Sequence, residues 1–355
     1  MSIIIKNLEK SYDKIVLKDI NLEIPQGQIL GIIGKSGTGK STLLRCLNGL
    51  EKPDRGTILI NGQLFTGVSD PERRRIQQKC GNVFQTFNLL SRLTALENVM
   101  LPLDFFKKNS GKNKSKALGM LHLVGLKGKE MSYPSQLSGG QSQRVAIARA
   151  LISEAALLFC DEFTSALDPE TSLEILELLR DLNKRLGITI ILVTHDMSVV
   201  REICDEVCVL DKGQIIEKND ITSILLHPQK EVTKSLIRNL FNKDLPHHLQ
   251  EMLMTNPKKG SSTLLRLFFS SQAAREPIMS NLIRKYDIPI NILFGNLDHI
   301  RETTFGCLIV EIPYEISNLD KLIKDLDQRN VSSEIIGYLP QKKEIHGTPP
   351  YPSIH

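Results

Sequence analysis

The chain has 355 residues, 41% of them apolar and 24% charged, enough hydrophobic content for a packed core and too much for an intrinsically disordered or collagen-like chain. Lys and Arg number 45 against 40 Asp and Glu, a formal charge of +5, with no basic block long enough to act as a nucleic-acid arm. No run of about 18 or more apolar residues occurs, so the chain is not expected to cross a membrane by itself.

The first residues, MSIIIKNLEKSY, carry Glu9 and no secretory cleavage pattern, so the chain is expected to stay in the cytosol. From residue 1 to about 219 short apolar runs alternate with helical patterns, an α/β layout. Residues 2–5 and 22–24 read as extended. Residues 28–33 form an almost purely apolar strand that runs into a glycine-rich stretch, 34–41, followed by a helix over 42–50. Strands at 57–60 and 63–65 flank Asn61-Gly62, a dipeptide suited to a two-residue hairpin turn. Between about 87 and 150 helical periodicity dominates, interrupted by the Lys-rich stretch 107–116, which reads as an exposed loop. Apolar strands follow at 156–160 and 188–193, and short β segments at 206–210 and 214–217 close the region. Residues 241–260 read as a linker. The order from residue 261 is strand 262–270, helix 276–285, strand 288–297, strand 305–313, helix 318–329 and strand 331–339, the ferredoxin-like βαββαβ pattern. The proline-bearing tail 341–355 is expected to be disordered. The six cysteines show no CxxC pair and read as reduced, mostly buried thiols.

Gly34-Lys35-Ser36-Gly37-Thr38-Gly39-Lys40-Ser41 has the spacing of a phosphate-binding loop. Glycines let successive backbone N–H groups turn inward and, with the N-terminus of the following helix, cradle phosphate oxygens. Lys40 is the expected counter-charge of the β and γ phosphates, Ser41 a ligand of the Mg²⁺ that bridges them, and Thr42 completes the set of nucleotide contacts. Asp161 and Glu162 end the strand 156–160; the first is placed to hold the Mg²⁺ shell and the second to polarise a water toward the γ-phosphate. Ser138, Gly139, Gly140 and Gln141 open a helix and offer a second anion-binding terminus.

These elements in this order resemble the nucleotide-binding subunits of ABC transporters. The resemblance implies a P-loop cassette of mixed sheet and helical subdomain over 1–240, binding ATP and Mg²⁺. It further implies Tyr12 stacking on adenine, Gln85 sensing Mg²⁺ and the membrane partner, residues 165–168 with Asp168 crossing a dimer interface, and His195 contacting the γ-phosphate. Two ATP molecules would be sandwiched in a head-to-tail homodimer, and the permease would be a separate polypeptide docking near Gln85 and residues 87–102. Ser142, where similar proteins often have lysine, and Phe163, where they have a small residue, depart from the pattern.

The stretches Leu264-Leu265-Arg266-Leu267, Asn291-Ile292-Leu293-Phe294-Gly295-Asn296 and Gly306–Glu311 resemble the ACT-like (NIL) regulatory domain of methionine-importer ATPases, as does residues 84–103. That resemblance implies an ATP-hydrolysing subunit of a methionine importer at the cytoplasmic face of the inner membrane, served through its permease by a solute-binding protein and restrained by methionine bound to residues 261–340. Ile292, Phe294, Gly295 and Asn296 are the candidate positions for that regulatory ligand; read from the residues alone, Gly295-Asn296 equally fits a tight turn. An ABC importer ATPase for another amino acid or small solute is an alternative, and a soluble ABC ATPase acting on nucleic acid or ribosomes is disfavoured by the single cassette and the lack of sustained heptads.

Overall fold

The structure, a computed structural model, describes residues 1–105, 110–226, 228–241, 247–258, 260–270, 273, 276–300, 303–313, 319–329 and 331–340. The chain divides into two units, Met1–Ile237 and Arg238–His355.

In the first unit, β1 (Ile3–Ser11) and β2 (Ile15–Ile24) alternate buried aliphatic with exposed polar residues, the pattern of a sheet with one wet face. β3 (Ile29–Ile33) is buried along its whole length, as a central parallel strand must be. After α1 (Lys40–Leu47) come β4 (Arg55–Ile60) and β5 (Gln63–Leu64), joined by Asn61 and Gly62 at φ 52° and 75°. α2 (Asp70–Gln77) starts at a Ser69/Glu72 capping box. β6 (Cys80–Val83) precedes three helices, α3 (Ala95–Phe105), α4 (Ser110–Leu123) and α5 (Gly139–Leu151). Then follow β7 (Leu157–Asp161), α6 (Pro169–Leu186), β8 (Thr189–Val193), α7 (Met197–Ile203), β9 (Glu206–Asp211), β10 (Gln214–Asp220) and α8 (Ile221–Leu226), and the division between the units falls within α9 (Glu231–Phe241).

Two sheets result. An antiparallel sheet has the order β2-β1-β4-β5, and a mixed sheet the order β10-β9-β3-β8-β7-β6, parallel except for β10. One apolar cluster unites Ile3, Ile5 and Leu17 of the first sheet, Ile32, Phe159 and Ile191 of the second, and Leu43, Leu44 and Leu47 of α1. The helix that follows the glycine-rich loop is thereby gripped by both sheets.

In the second unit, α10 (His247–Met252) precedes β11 (Ser262–Ser270), α11 (Ile278–Tyr286), β12 (Asn291–Ile300), β13 (Thr303–Pro313), α12 (Leu319–Gln328) and β14 (Val331–Leu339). The strand order β12-β13-β11-β14, antiparallel throughout, is the ferredoxin-like sheet. Leu265, Leu267, Val310 and Ile312 on one face pack with Ile278, Leu282, Leu322 and Leu326 of the two helices. The opposite face carries Leu264, Ile309 and Leu339 against Leu249 and Leu253.

Several sequence expectations change. The stretch 107–116 is not simply a loop: α4 takes residues from Ser110 onward, because Ala117, Leu121 and Val124 are fully buried and their packing overrides the poor helix propensity of Ser110, Gly111, Asn113 and Ser115. Residues 107–109 lie outside the described ones, as does the tail 341–355. The segment 241–260 contains α10, and Met254 pairs with Tyr338 in an isolated bridge. Gly295 and Asn296 lie within β12, opposite Leu308 and Cys307, in keeping with the strand expected over 288–297 and not with the alternative tight turn.

Sequence reading passed over α2 and β6. The latter, Cys-Gly-Asn-Val, has little β propensity, and its strand character comes from pairing with β7. A Cβ at Gly81 would stand 2.5 Å from the Ala150 carbonyl oxygen of α5. Gly81→Val is therefore expected to push β6 and α5 apart and lower stability by about 1–3 kcal/mol; a denaturant midpoint equal to that of the parent would contradict this packing.

Candidate nucleotide site

The register of the mixed sheet builds the site. Ile32 of β3 pairs with Val193 of β8, Val193 with Asp161 of β7, and Cys160 of β7 with Val83 of β6. Four strands thus end in one line, and the glycine-rich loop, Asp161-Glu162, Thr194-His195 and the segment containing Gln85 all emerge along one edge. That edge, at the carboxyl ends of parallel strands, is where α/β sheets place ligands.

At the loop, Gly39 caps α1 at φ 103°, and a Cβ there would meet the Val16 carbonyl oxygen at 2.8 Å. A Cβ at Gly34 would lie 2.2 Å from the Leu210 carbonyl oxygen, so both glycines are required by close approach of backbone. Thr38 Oγ1 donates to the Lys35 carbonyl at 3.0 Å, and Gly213 N–H donates to the Thr38 carbonyl at 3.2 Å. Lys40 is buried, and its ammonium donates to the carbonyls of Gly34 at 2.8 Å and Lys35 at 2.9 Å. Burial pulls its pKa below the usual lysine range, against the opposing pull of Glu162 and Asp161. Ser36, Gly37 and Thr42 complete the turn and the first helical residues; nothing stands within 4 Å of a Cβ built on Gly37.

Ser41 Oγ donates to Asp161 Oδ1 at 3.2 Å, joining the start of α1 to the end of β7. Burial, aided by the like charge of Glu162, raises the Asp161 pKa despite the Ser41 hydrogen bond. Glu162 sits at φ 43°, a left-handed conformation costly for a residue with a Cβ. Its N–H donates to the Val193 carbonyl at 2.9 Å, and its carbonyl accepts from Ser165 N–H at 3.1 Å and Ser165 Oγ at 2.8 Å. The strained backbone aims the carboxylate at His195, whose Nδ1 lies 3.1 Å from Glu162 Oε1. Phe163, fully buried just beyond, packs behind this turn.

Other candidates are placed but not gathered in. Ser138 caps α5 through a reciprocal box, with Gln141 N–H donating to Ser138 Oγ at 3.3 Å and Ser138 N–H donating to Gln141 Oε1 at 3.1 Å. Gly139 and Gly140 abut α6 and its lead-in: Cβ atoms there would stand 3.1 Å from Leu167 Cδ2 and 2.5 Å from Thr171 Cγ2. Asp168 caps α6 by accepting from Thr171 N–H at 2.9 Å, which holds its carboxyl below the usual range. Gln85 is exposed directly after β6, and Ser142 is buried in α5. Tyr12 is exposed at the β1–β2 turn, with Lys10 Nζ 5.1 Å from its ring centroid. In the second unit Ile292 is exposed, Phe294 packs beside the Leu264 cluster, Gly295 faces Leu308, and the side chain of Asn296 lies outside the described ones.

Two groups escaped the sequence reading. Lys10, buried, donates to the Lys52 carbonyl at 2.8 Å and pairs with Glu51 at 2.9 Å and Asp54 at 3.3 Å. Arg149, at the far end of α5, donates to the carbonyls of Asn88 at 2.6 Å and Phe87 at 2.9 Å, with Asn88 itself at φ 51°. Neither role follows from residue type, since each partner is a backbone carbonyl or a residue distant in sequence.

A glycine-rich loop on a two-sheet α/β frame, with an acidic strand end and a helical insertion, defines a P-loop nucleotide-binding cassette of the ABC-transporter class. Residues 17–165 match the ABC transporter family and residues 263–335 the NIL domain. The cassette is similar to the dimeric, post-hydrolysis ATP-binding cassette MJ0796 bound to ADP and Pi, at TM-score 0.56 and 38% identity over 62% of this chain and 98% of that one. It is also similar to cbiO1 of Clostridium perfringens, part of the cbiONQ transporter complex, at TM-score 0.61 and 31% identity over 70% and 98%. The methionine import ATP-binding protein MetN of Desulfitobacterium hafniense is 45% identical over 94% of this chain and 98% of its own length, and that of Escherichia coli K12 is 42% identical over 91% and 94%. The chain belongs to the family of methionine import ATP-binding proteins.

Because Arg149 holds two consecutive carbonyls beside a left-handed Asn88, Arg149→Ala should leave them without their charged donor, at a cost of about 1–3 kcal/mol. Limited proteolysis should cut faster within 85–90; an unaltered cleavage pattern would show that the loop holds itself.

Proposed function

We propose that the chain is the ATP-hydrolysing subunit of a membrane importer for methionine, with amino-acid feedback through its C-terminal unit. Membership of the methionine import family carries the substrate, and the edge shared by Ser41, Asp161, Glu162 and His195 carries the chemistry. Among the described residues no helix is long and apolar enough to cross a membrane, and a separate permease as supplier of the translocation path is part of this reading. Docking of that permease around Gln85 and 87–102, at the cytoplasmic face of the membrane, is part of the proposal.

The N–H groups of residues 34–42 and the positive end of α1 receive the ATP phosphates. Phosphate oxygens then compete with the Gly34 and Lys35 carbonyls for the Lys40 ammonium. Ser41 and Asp161 are hard oxygen donors already in contact, and among the described residues no group of three His, Cys, Asp or Glu forms a metal site alone. That set suits Mg²⁺, which keeps water and substrate phosphates in its shell and supplies charge neutralisation across the β and γ phosphates. Glu162 accepts a proton from the attacking water, and its hydrogen bond with His195 orients both side chains at the γ-phosphate.

Ser138 and Gln141 satisfy one another within a single chain, so the N-terminus of α5 faces outward with its dipole available to a second anion. A head-to-tail homodimer that lays this terminus and Asp168 of one copy over the phosphate loop of the other follows, with Tyr12 as adenine platform. Residues 1–240 form the cassette and 261–340 the regulatory domain, in which Ile292, Phe294, Gly295 and Asn296 remain the proposed methionine contacts.

Glu162→Gln should lower kcat for ATP by about 10²–10⁴-fold while retaining ATP affinity; undiminished turnover would remove Glu162 from its role. Lys40→Ala should weaken ATP binding by about tenfold or more, the loss of a charge-assisted contact, and parental affinity would refute the loop assignment. L-methionine titrated into the full chain should bind in preference to other amino acids, and the chain ended after Gly260 should not bind it. Binding by the shortened chain, or none by the full one, would overturn the regulatory reading.

A further inference from the structure

Lys10 is a buried lysine that none of the phosphate chemistry uses. All three of its ammonium protons have acceptors: the Lys52 carbonyl at 2.8 Å, Glu51 Oε1 at 2.9 Å and Asp54 Oδ1 at 3.3 Å. Asp54 is fastened in turn, its Oδ2 accepting from Ser11 N–H at 2.6 Å and its own N–H donating to the Glu9 carbonyl at 2.9 Å. The loop 51–54 is therefore stapled to the last residues of β1, and the staple ends one residue before Tyr12. The Tyr12 N–H closes the turn on the Lys14 carbonyl at 3.0 Å.

The same ammonium lies 5.1 Å from the centroid of the Tyr12 ring, within cation–π range. Tyr12 is 53% exposed, a large aromatic held at a turn with much of its surface open. The cation is held by two carboxylates and a carbonyl, and Glu51, its partner, also hydrogen-bonds the Tyr12 hydroxyl, so Lys10 and Glu51 together orient the ring.

We propose that Lys10, locked by Glu51 and Asp54, is a positioning residue that preorganises Tyr12 to stack on the adenine base, and so contributes to recognition of the nucleoside end of ATP and not of its phosphates. The proposal rests on the reading of Tyr12 as the adenine platform. Preorganisation acts on binding of the base alone; Lys10 touches neither the phosphate loop nor Glu162.

The test compares ATP with inorganic tripolyphosphate, which carries the phosphates without the base, as ligands of the full chain and of Lys10→Met, Tyr12→Ala and the double variant. Lys10→Met should weaken ATP binding about two- to fivefold, the size of an exposed cation–π contact, and raise KM by the same factor with kcat unchanged. Tripolyphosphate affinity should be unaltered, and the Lys10 effect should vanish when Tyr12 is already alanine. Parental ATP affinity in Lys10→Met, an equal loss for tripolyphosphate, or a Lys10 effect that persists without Tyr12 would each overturn the proposal. If Tyr12→Ala itself binds ATP as the parent does, the platform reading fails and the inference with it; if Tyr12→Ala weakens ATP and Lys10→Met does not, only the inference fails. Should Lys10→Met not fold, Lys10→Gln, neutral but still able to donate to the Lys52 carbonyl, carries the same comparison.

Discussion

The alignment of β3, β8, β7 and β6, with Ile32, Val193 and Asp161 in one row and Cys160 beside Val83 in the next, is the constraint on which the site depends. Parallel strands in register must release their next residues at the same edge. Residues separated by more than a hundred positions thereby become neighbours, as Ser41 and Asp161 do. A slip of one residue in β7 would turn Asp161 to the other face of the sheet and part it from Ser41.

Around that edge the chain stores local cost and compensates it locally. Glu162 holds a left-handed backbone because the Val193 carbonyl and Ser165 fasten both of its peptide groups. Lys40 accepts burial because two carbonyls of its own loop surround the ammonium. Both arrangements keep a charged group oriented before any substrate arrives, which is the electrostatic condition for fast phosphoryl chemistry. The packing of α1 between two sheets gives this arrangement a rigid base.

The helical part carries a different logic. α5 starts with a self-capped Ser138–Gln141 turn and ends near Arg149, which grips the carbonyls of Phe87 and Asn88. One helix thus joins the self-capped Ser138–Gln141 turn to the segment following Gln85. In the second unit, the ferredoxin-like sheet buries apolar side chains on both faces, and the candidate ligand positions lie along β12, its edge strand.

Much was legible from the sequence because it is local. The phosphate loop, the cap at Ser138, the Asn61-Gly62 turn and the βαββαβ order are each written in contiguous residues whose backbone preferences or hydrophobic periods need no distant partner. What the sequence could not convey was the cross-chain geometry: β6 exists because β7 pairs with it, and α4 because Ala117, Leu121 and Val124 are buried. Lys10 and Arg149 have no signature in sequence, because the carbonyls and carboxylates that hold them come from other elements. Local propensity and motif spacing determined the elements and the kind of chemistry; sheet register and burial, which depend on contacts between distant residues, decided which side chains meet and how each charge is held.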